Sequence, residues 1–191
     1  KVIAMSALRH VKVGVEERDE YLQAVNASRR LKGGDYTDRA EDKARDEELS
    51  AKLSEEKFVQ MAEEEEFILT IAADGFGKRS SAYEYRIAGR GGQGIANIDV
   101  SRGKKKTYVT AAFTVIDSDQ IVMVSDNGQI IRCPIDKVST VGRSSRGVTI
   151  FKTAKGEEVV SVSRLRDVDD ENGNGGAESE DSVVEDSVVE D

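Results

Sequence analysis

A single cysteine, Cys133, in 191 residues excludes an intrachain disulfide and points to a reducing compartment. With one histidine, His10, as company, it forms no cluster with metal-ligand spacing. No apolar run approaches the roughly 20 residues of a membrane-spanning helix, and the start lacks a secretory pattern. A cytoplasmic location is therefore expected. His10 reads as a partly buried polar residue and Cys133, ahead of Pro134, as core. No catalytic residue, metal ligand or cofactor site is expected within this stretch. The chain opens on Lys1 rather than Met, inside an apolar run, which predicts a piece of a longer protein. Hydrophobic residues reach 38% against 34% charged, a mix that suits a globular part with solvated segments.

The net charge of -9 hides a division. Residues 67–166 carry net +7, residues 1–66 net -5 and residues 167–191 net -11. A basic block inside an acidic chain points to a polyanion partner and an acidic tail. Solubility alone is the plainer explanation. Against it, the basic residues recur in register with an internal repeat.

That repeat has an offset of 53. GFGKRSSAYEYRIAGRGGQGI, residues 75–95, returns as GQIIRCPIDKVSTVGRSSRGV, residues 128–148. Gly75 meets Gly128, Arg79 meets Arg132, Gly89-Arg90 meet Gly142-Arg143, and Gly94 meets Gly147. The apolar runs FILTI and QIVMV precede the two copies, each ending at a turn signal, Asp74-Gly75 and Asp126-Asn127-Gly128. A period near 50 with glycines in fixed places predicts blades of about four strands each. KVIAMSALR at residues 1–9 resembles EVVSVSRLR at 158–166, and YVTAAF at 108–113 is a looser copy. These three are expected to be the closing strands of successive blades.

The resulting division is a closing strand at 1–10, a mainly helical acidic insertion at 11–66, blades at 67–118 and 119–166, and a disordered acidic tail at 167–191. Within the insertion, residues 15–32 have helical spacing, with Tyr21, Leu22 and Val25 on one face and Gly33-Gly34 as a stop. Ser54 is placed to cap a second helix over 55–65, with Phe58 and Met61 on one side. The tail ends in SVVED twice and holds eleven uncompensated acids. Its burial cannot offset ordering entropy. Its charge predicts competition with a polyanion for the basic block, strong at low salt.

Gly89 to Gly94 satisfies the spacing G-x-G-x-x-G. A dinucleotide site needs a strand before it, a helix after it and an acid about 20 residues on. The following IANIDVS reads as β, and no acid lies at that distance. The glycines are better explained as tight bends between strands. The arginines carry the stronger signal. Arg79 and Arg132 follow a turn glycine, and Arg90 and Arg143 follow a bend glycine. Lys78, Arg86, Lys104, Lys105, Lys106, Lys137 and Arg146 surround them. A glycine beside an arginine lets a backbone N–H and a guanidinium reach one phosphate. On consecutive blades such pairs would form a basic rim for DNA, held by phosphates and selected by bendability. The competing explanations are solvated blade edges that deter edge pairing, a protein-interaction propeller, or a nucleotide-dependent enzyme.

SAYEYRIAGRGGQGI followed by GQIIRCPIDKVSTVGRSSRGVTIF resembles the C-terminal domain of bacterial DNA gyrase A subunits. The resemblance covers about 100 residues. It implies an all-β, propeller-like β-pinwheel of four-stranded blades, here about two plus a remnant strand, that wraps DNA on a basic perimeter. The residues it would set against the duplex are Lys78, Arg79, Arg90, Arg132, Arg143, Arg146, Lys104, Lys105 and Lys106. It further implies ATP and Mg²⁺ used elsewhere in the holoenzyme, and an A₂B₂ assembly with a B subunit. In this family the strand-cleaving tyrosine follows an arginine. None of Tyr21, Tyr36, Tyr83, Tyr85 or Tyr108 does, so that nucleophile is expected upstream. The first-blade glutamine-arginine-arginine-glycine box is absent, and the corresponding chain of topoisomerase IV, which shares the pinwheel, stands as the alternative.

Overall fold

A computed structural model of the chain describes residues 2–9, 12–33, 53–87, 90–101 and 106–166. His10, Lys104, Lys105, residues 35–50 and the tail at 167–191 lie outside them. The β region forms two sheets. Strands β1 (Phe67–Ala72), β2 (Phe76–Ser81), β3 (Val109–Val115) and β6 (Val148–Thr149) make the first, in the order β3-β1-β2-β6. Strands β4 (Gln120–Ser125), β5 (Ile130–Pro134) and β7 (Val159–Leu165) make the second, in the order β5-β4-β7.

The repeat is carried into the backbone pair by pair. Phe67 faces Ser81 in the first hairpin, and Gln120 faces Pro134 in the second. The ladder to the closing strand is interrupted between Ile71 and Ala72 in one blade and between Val124 and Ser125 in the other. Each of these positions is 53 residues from its counterpart. A short 3-10 turn follows each hairpin, at Ala82–Glu84 and Ile135–Lys137. Gly75 and Gly128 both have positive φ, 78° and 79°, as the tight turns require.

Among the described residues, four strands are reached only in the first blade, and only by borrowing. Strand β6 belongs to the second repeat, yet it pairs with β2 of the first. The backbone around it joins in: Arg79 N–H donates to the Ser139 carbonyl at 3.0 Å, and Val141 N–H to the Arg79 carbonyl at 2.9 Å. Gly147 shows why a glycine is needed there. A Cβ on it would lie 2.3 Å from the Gly77 carbonyl oxygen.

The blades share one core. Leu69 and Ile71 of β1, Val115 of β3, Ile121 and Met123 of β4, and Ile135, Val138, Phe151 and Val159 form one buried cluster. Strand β4 buries alternate residues, Ile121, Met123 and Ser125, as expected for one covered face. Strand β1 is buried on both faces from Leu69 onward. Cys133 is half-buried against the cluster, consistent with its reading as core. Val159 N–H donates to the Ala73 carbonyl at 2.8 Å, which ties the second closing strand to the first blade.

The insertion holds two helices, α1 (Val15–Gly33) and α2 (Glu55–Glu64). Ser54 caps α2 by accepting from Lys57 N–H at 3.4 Å. Tyr21, Met61 and Tyr83 are buried together, with Leu22, Val25 and Phe58 packed against them. The Tyr83 hydroxyl donates to the Met61 carbonyl at 3.0 Å. Glu65 accepts from the Tyr21 hydroxyl at 2.9 Å and from Arg29 at 2.7 Å.

Two expectations are corrected. Residues 2–9 form no strand. A strand exists only as a ladder, and residues 2–9 pair with none of the described strands; Val2 and Met5 are largely exposed. IANIDVS, residues 95–101, is likewise not β. Asn97 instead ties it to the first blade, donating to Thr70 at 2.9 Å and accepting from the Tyr85 hydroxyl.

Candidate nucleic-acid interface

The predicted basic residues divide into internal and external groups. Lys78 is wholly buried. Its ammonium donates to the carbonyls of Gly142, at 2.7 Å, and Arg143. Burial pulls its pKa down from 10.5 to about 8. As a rim residue Lys78 is therefore corrected: it pins the second repeat's glycine-arginine bend onto the first blade. Arg79 also turns inward. Its Nε donates to the Val138 carbonyl at 2.8 Å, its Nη1 pairs with Asp117, and only 11% of the side chain is exposed.

Arg143 is held from both sides. Its backbone N–H donates to Glu84, and its guanidinium donates to the Ala96 carbonyl. The backbone N–H and guanidinium, expected to share one phosphate, are thus both engaged within the chain. Arg146 lies over the Phe76 ring at 3.9 Å and pairs with Asp74 at 2.7 Å.

The external group comprises Arg90, Arg132 and Lys106, all exposed. The repeat pairs are consequently unlike. Arg79 is covered because residues 138–149 lie along the outer edge of β2, whereas β5, which carries Arg132, pairs among the described residues with β4 alone. Arg132 donates to the neighbouring Gln120. Arg90 sits on a loop whose following residues, Ala96 to Asp99, are tied down, Asp99 N–H donating to the Ser145 carbonyl at 3.3 Å.

Sequence reasoning named Lys106 and missed two further lysines, Lys152 and Lys155. The loop entering β3 carries Lys106, and the loop entering β7 carries Lys152 and Lys155, all three exposed. Because the blades share their register and β3 packs beside β7, these loops occupy matching corners of adjacent blades. Tyr108 at one corner reaches Glu158 at the next, 3.0 Å away. Aligning the closing strands, offset by 50 rather than 53, would have found them. Glu84 was also missed, since its partner is 59 residues away.

G-x-G-x-x-G is no dinucleotide site. The Ala82–Glu84 turn stands before it in place of a strand, and no helix follows through residue 101. No metal-ligand cluster occurs among the described residues, and no helix among them is long and apolar enough to cross a membrane.

Residues 66–104 and 119–166 match the family described as DNA gyrase C-terminal domain, beta-propeller. The chain belongs to that family. Its β region is a gyrase A type β-pinwheel, and both matched segments begin within a residue of a blade's first strand. The DNA gyrase A protein of Granulibacter bethesdensis is 43% identical over 180 residues, 92% of this chain and 19% of that protein. The DNA gyrase A protein of Rickettsia bellii is 40% identical over 192 residues, 99% of this chain and 19% of that protein. Both alignments are too long to leave out the helical block. The chain spans about a fifth of the length of these relatives. A solved gyrase A C-terminal domain covers 52% of this chain and 33% of its own at 29% identity, with a TM-score of 0.47.

Proposed function

We propose that this gyrase C-terminal region binds and bends duplex DNA along the corners of its blades, as part of the gyrase A chain of a type II topoisomerase. The supporting observation is the recurrence of exposed lysines, Lys106 then Lys152 and Lys155, at matching corners of two adjacent blades of identical register. Arg90 and Arg132 are further exposed cations of the two repeats. Cations in series neutralise successive phosphates, release counterions and hold a bend without reading bases. The internal cations, Lys78, Arg79 and Arg143, act earlier in the chain of causes: they fix one blade to the next and so set the spacing of the corners.

In the holoenzyme, DNA held this way would be presented to a cleavage core upstream. ATP, Mg²⁺ and a B subunit in an A₂B₂ assembly would supply the rest of negative supercoiling. The corresponding chain of topoisomerase IV is the neighbouring reading; the two separate by whether the intact enzyme introduces negative supercoils or only removes them.

A gel shift with duplexes of increasing length tests the DNA reading. Wrapping requires affinity that grows over several helical turns and falls steeply with salt. Affinity that is independent of length, or preference for acidic proteins over duplex, would replace it with a protein-interaction module.

A further inference from the structure

The helical block forms a cleft of about 860 Å³ where it meets the first blade. Three separate segments bring four cations to it: Arg9 and Lys12 ahead of α1, Arg18 in α1, and Arg86 after the Ala82–Glu84 turn. Val15 and Ile87 line it as well, 64% and 80% exposed. Glu64 and Glu66 line it too, and Glu66 accepts from the Arg9 backbone N–H at 2.6 Å and pairs with its guanidinium at 3.9 Å, which leaves cations in excess. Cations beside bare aliphatic side chains call for a ligand that is acidic and apolar at once. A phosphate backbone would neutralise the first and leave the second wet.

We propose that this cleft binds the chain's own C-terminal repeat, residues 182–191. SVVEDSVVED alternates paired valines with paired acids. Bound as an extended strand, Val183 and Glu185 share one face and Val184 and Asp186 the other, because successive side chains point to opposite sides. Either face thus offers one apolar group and one carboxylate. The exit point fits. Arg164, next to the end of β7, lines a neighbouring groove together with Arg9 and Glu66. From Arg166 to Ser182 the chain can span about 50 Å at roughly 3.3 Å per residue. Docking would place a net -11 tail against a basic corner of residues 1–66, which are themselves net -5.

Amide hydrogen exchange on the full chain at low salt tests the assignment. Amides of residues 182–191 should exchange severalfold slower in the wild type than in Lys12→Glu/Arg86→Glu. The same loss of protection is expected in a variant with Val183, Val184, Val188 and Val189 changed to serine, which keeps every charge. Exchange in α1 reports whether the block stays folded; if the charge reversal disturbs it, the serine variant decides. Wild-type exchange at the rate of a free SVVEDSVVED peptide overturns the proposal. Full protection in the serine variant overturns it too, since bare charge attraction would then suffice. If the tail is unprotected while a short duplex slows exchange at residues 12–18, the cleft belongs to nucleic acid. A chain that binds DNA with an unprotected tail loses this inference and keeps the DNA reading.

Discussion

Lys78 and Arg143 belong to different repeats, and the Lys78 ammonium is bonded to the Arg143 carbonyl. The pair is one half of a clamp. Glu84 supplies the other half by accepting from the Arg143 backbone N–H. Lys78→Met would fill similar volume and leave the Arg143 carbonyl without its donor, while the Gly142 carbonyl keeps the Ser145 N–H at 3.0 Å. Each buried polar group left unpaired costs about 1–3 kcal/mol. Denaturant unfolding should show a loss in that range. A variant as stable as the wild type would mean that the clamp is incidental.

The same lysine predicts a pH dependence with a definite sign. Burial lowers its pKa from 10.5 to about 8. Between those values the unfolded chain binds more protons than the folded one, so this group makes stability rise with pH. Below about pH 8 the lysine is charged in both states and its burial penalty is fully present. Tyr83 and Tyr85, pushed up to about 12 by burial, act in the opposite direction above pH 10. The comparison is therefore wild type minus Lys78→Met from pH 8 to pH 10. The difference should shift in favour of the wild type as pH rises; a flat difference contradicts the assignment.

Gly128 and Gly147 both have positive φ, 79° and 85°, but only one is crowded. Alanine at either position incurs the left-handed penalty of about 1–2 kcal/mol. At Gly147 the new Cβ would also meet the Gly77 carbonyl 2.3 Å away, whereas at Gly128 nothing lies within 4 Å. Gly147→Ala should be the more destabilising, and it should expose the amides of β2 to exchange. Equal effects would show that β6 does not seat on β2 in solution.

Tyr83 joins the insertion to the first blade through its hydroxyl on Met61 and its ring edge on Tyr21, centroids 5.4 Å apart. Tyr83→Phe keeps the ring and removes the hydrogen bond, a change of about 0.5–1.5 kcal/mol. Faster amide exchange should appear in α2 while β4 keeps its protection. Uniform acceleration across both would mean that block and blades unfold as one unit.

The blades were legible in the sequence because turn glycines and apolar runs are local signals, and an offset of 53 repeats them faithfully. Both hairpins, both turn glycines and both helices follow from them. The borrowed strand was not legible: β6 pairs with β2 some 70 residues earlier, and nothing in Val148-Thr149 specifies which blade it joins. That one unread pairing explains the misplaced cations. The repeat places Lys78 and Arg79 on a rim, but the borrowed segment lies along β2 and covers them. Residues 2–9 resemble a closing strand in sequence but pair with none of the described strands. Lys152 and Lys155 escaped because the closing strands repeat at 50, out of step with the motif around Arg143.

The salt dependence of duplex binding tests the central claim most directly, comparing the full chain with Lys106→Ala/Lys152→Ala/Lys155→Ala. If these corners neutralise phosphates, the slope of log affinity against log salt should fall by about 0.9 for each contact removed. The weakening should be the same on unrelated sequences. An unchanged slope, with the variant folded and binding as tightly as the wild type, would contradict the claim that DNA follows the blade corners.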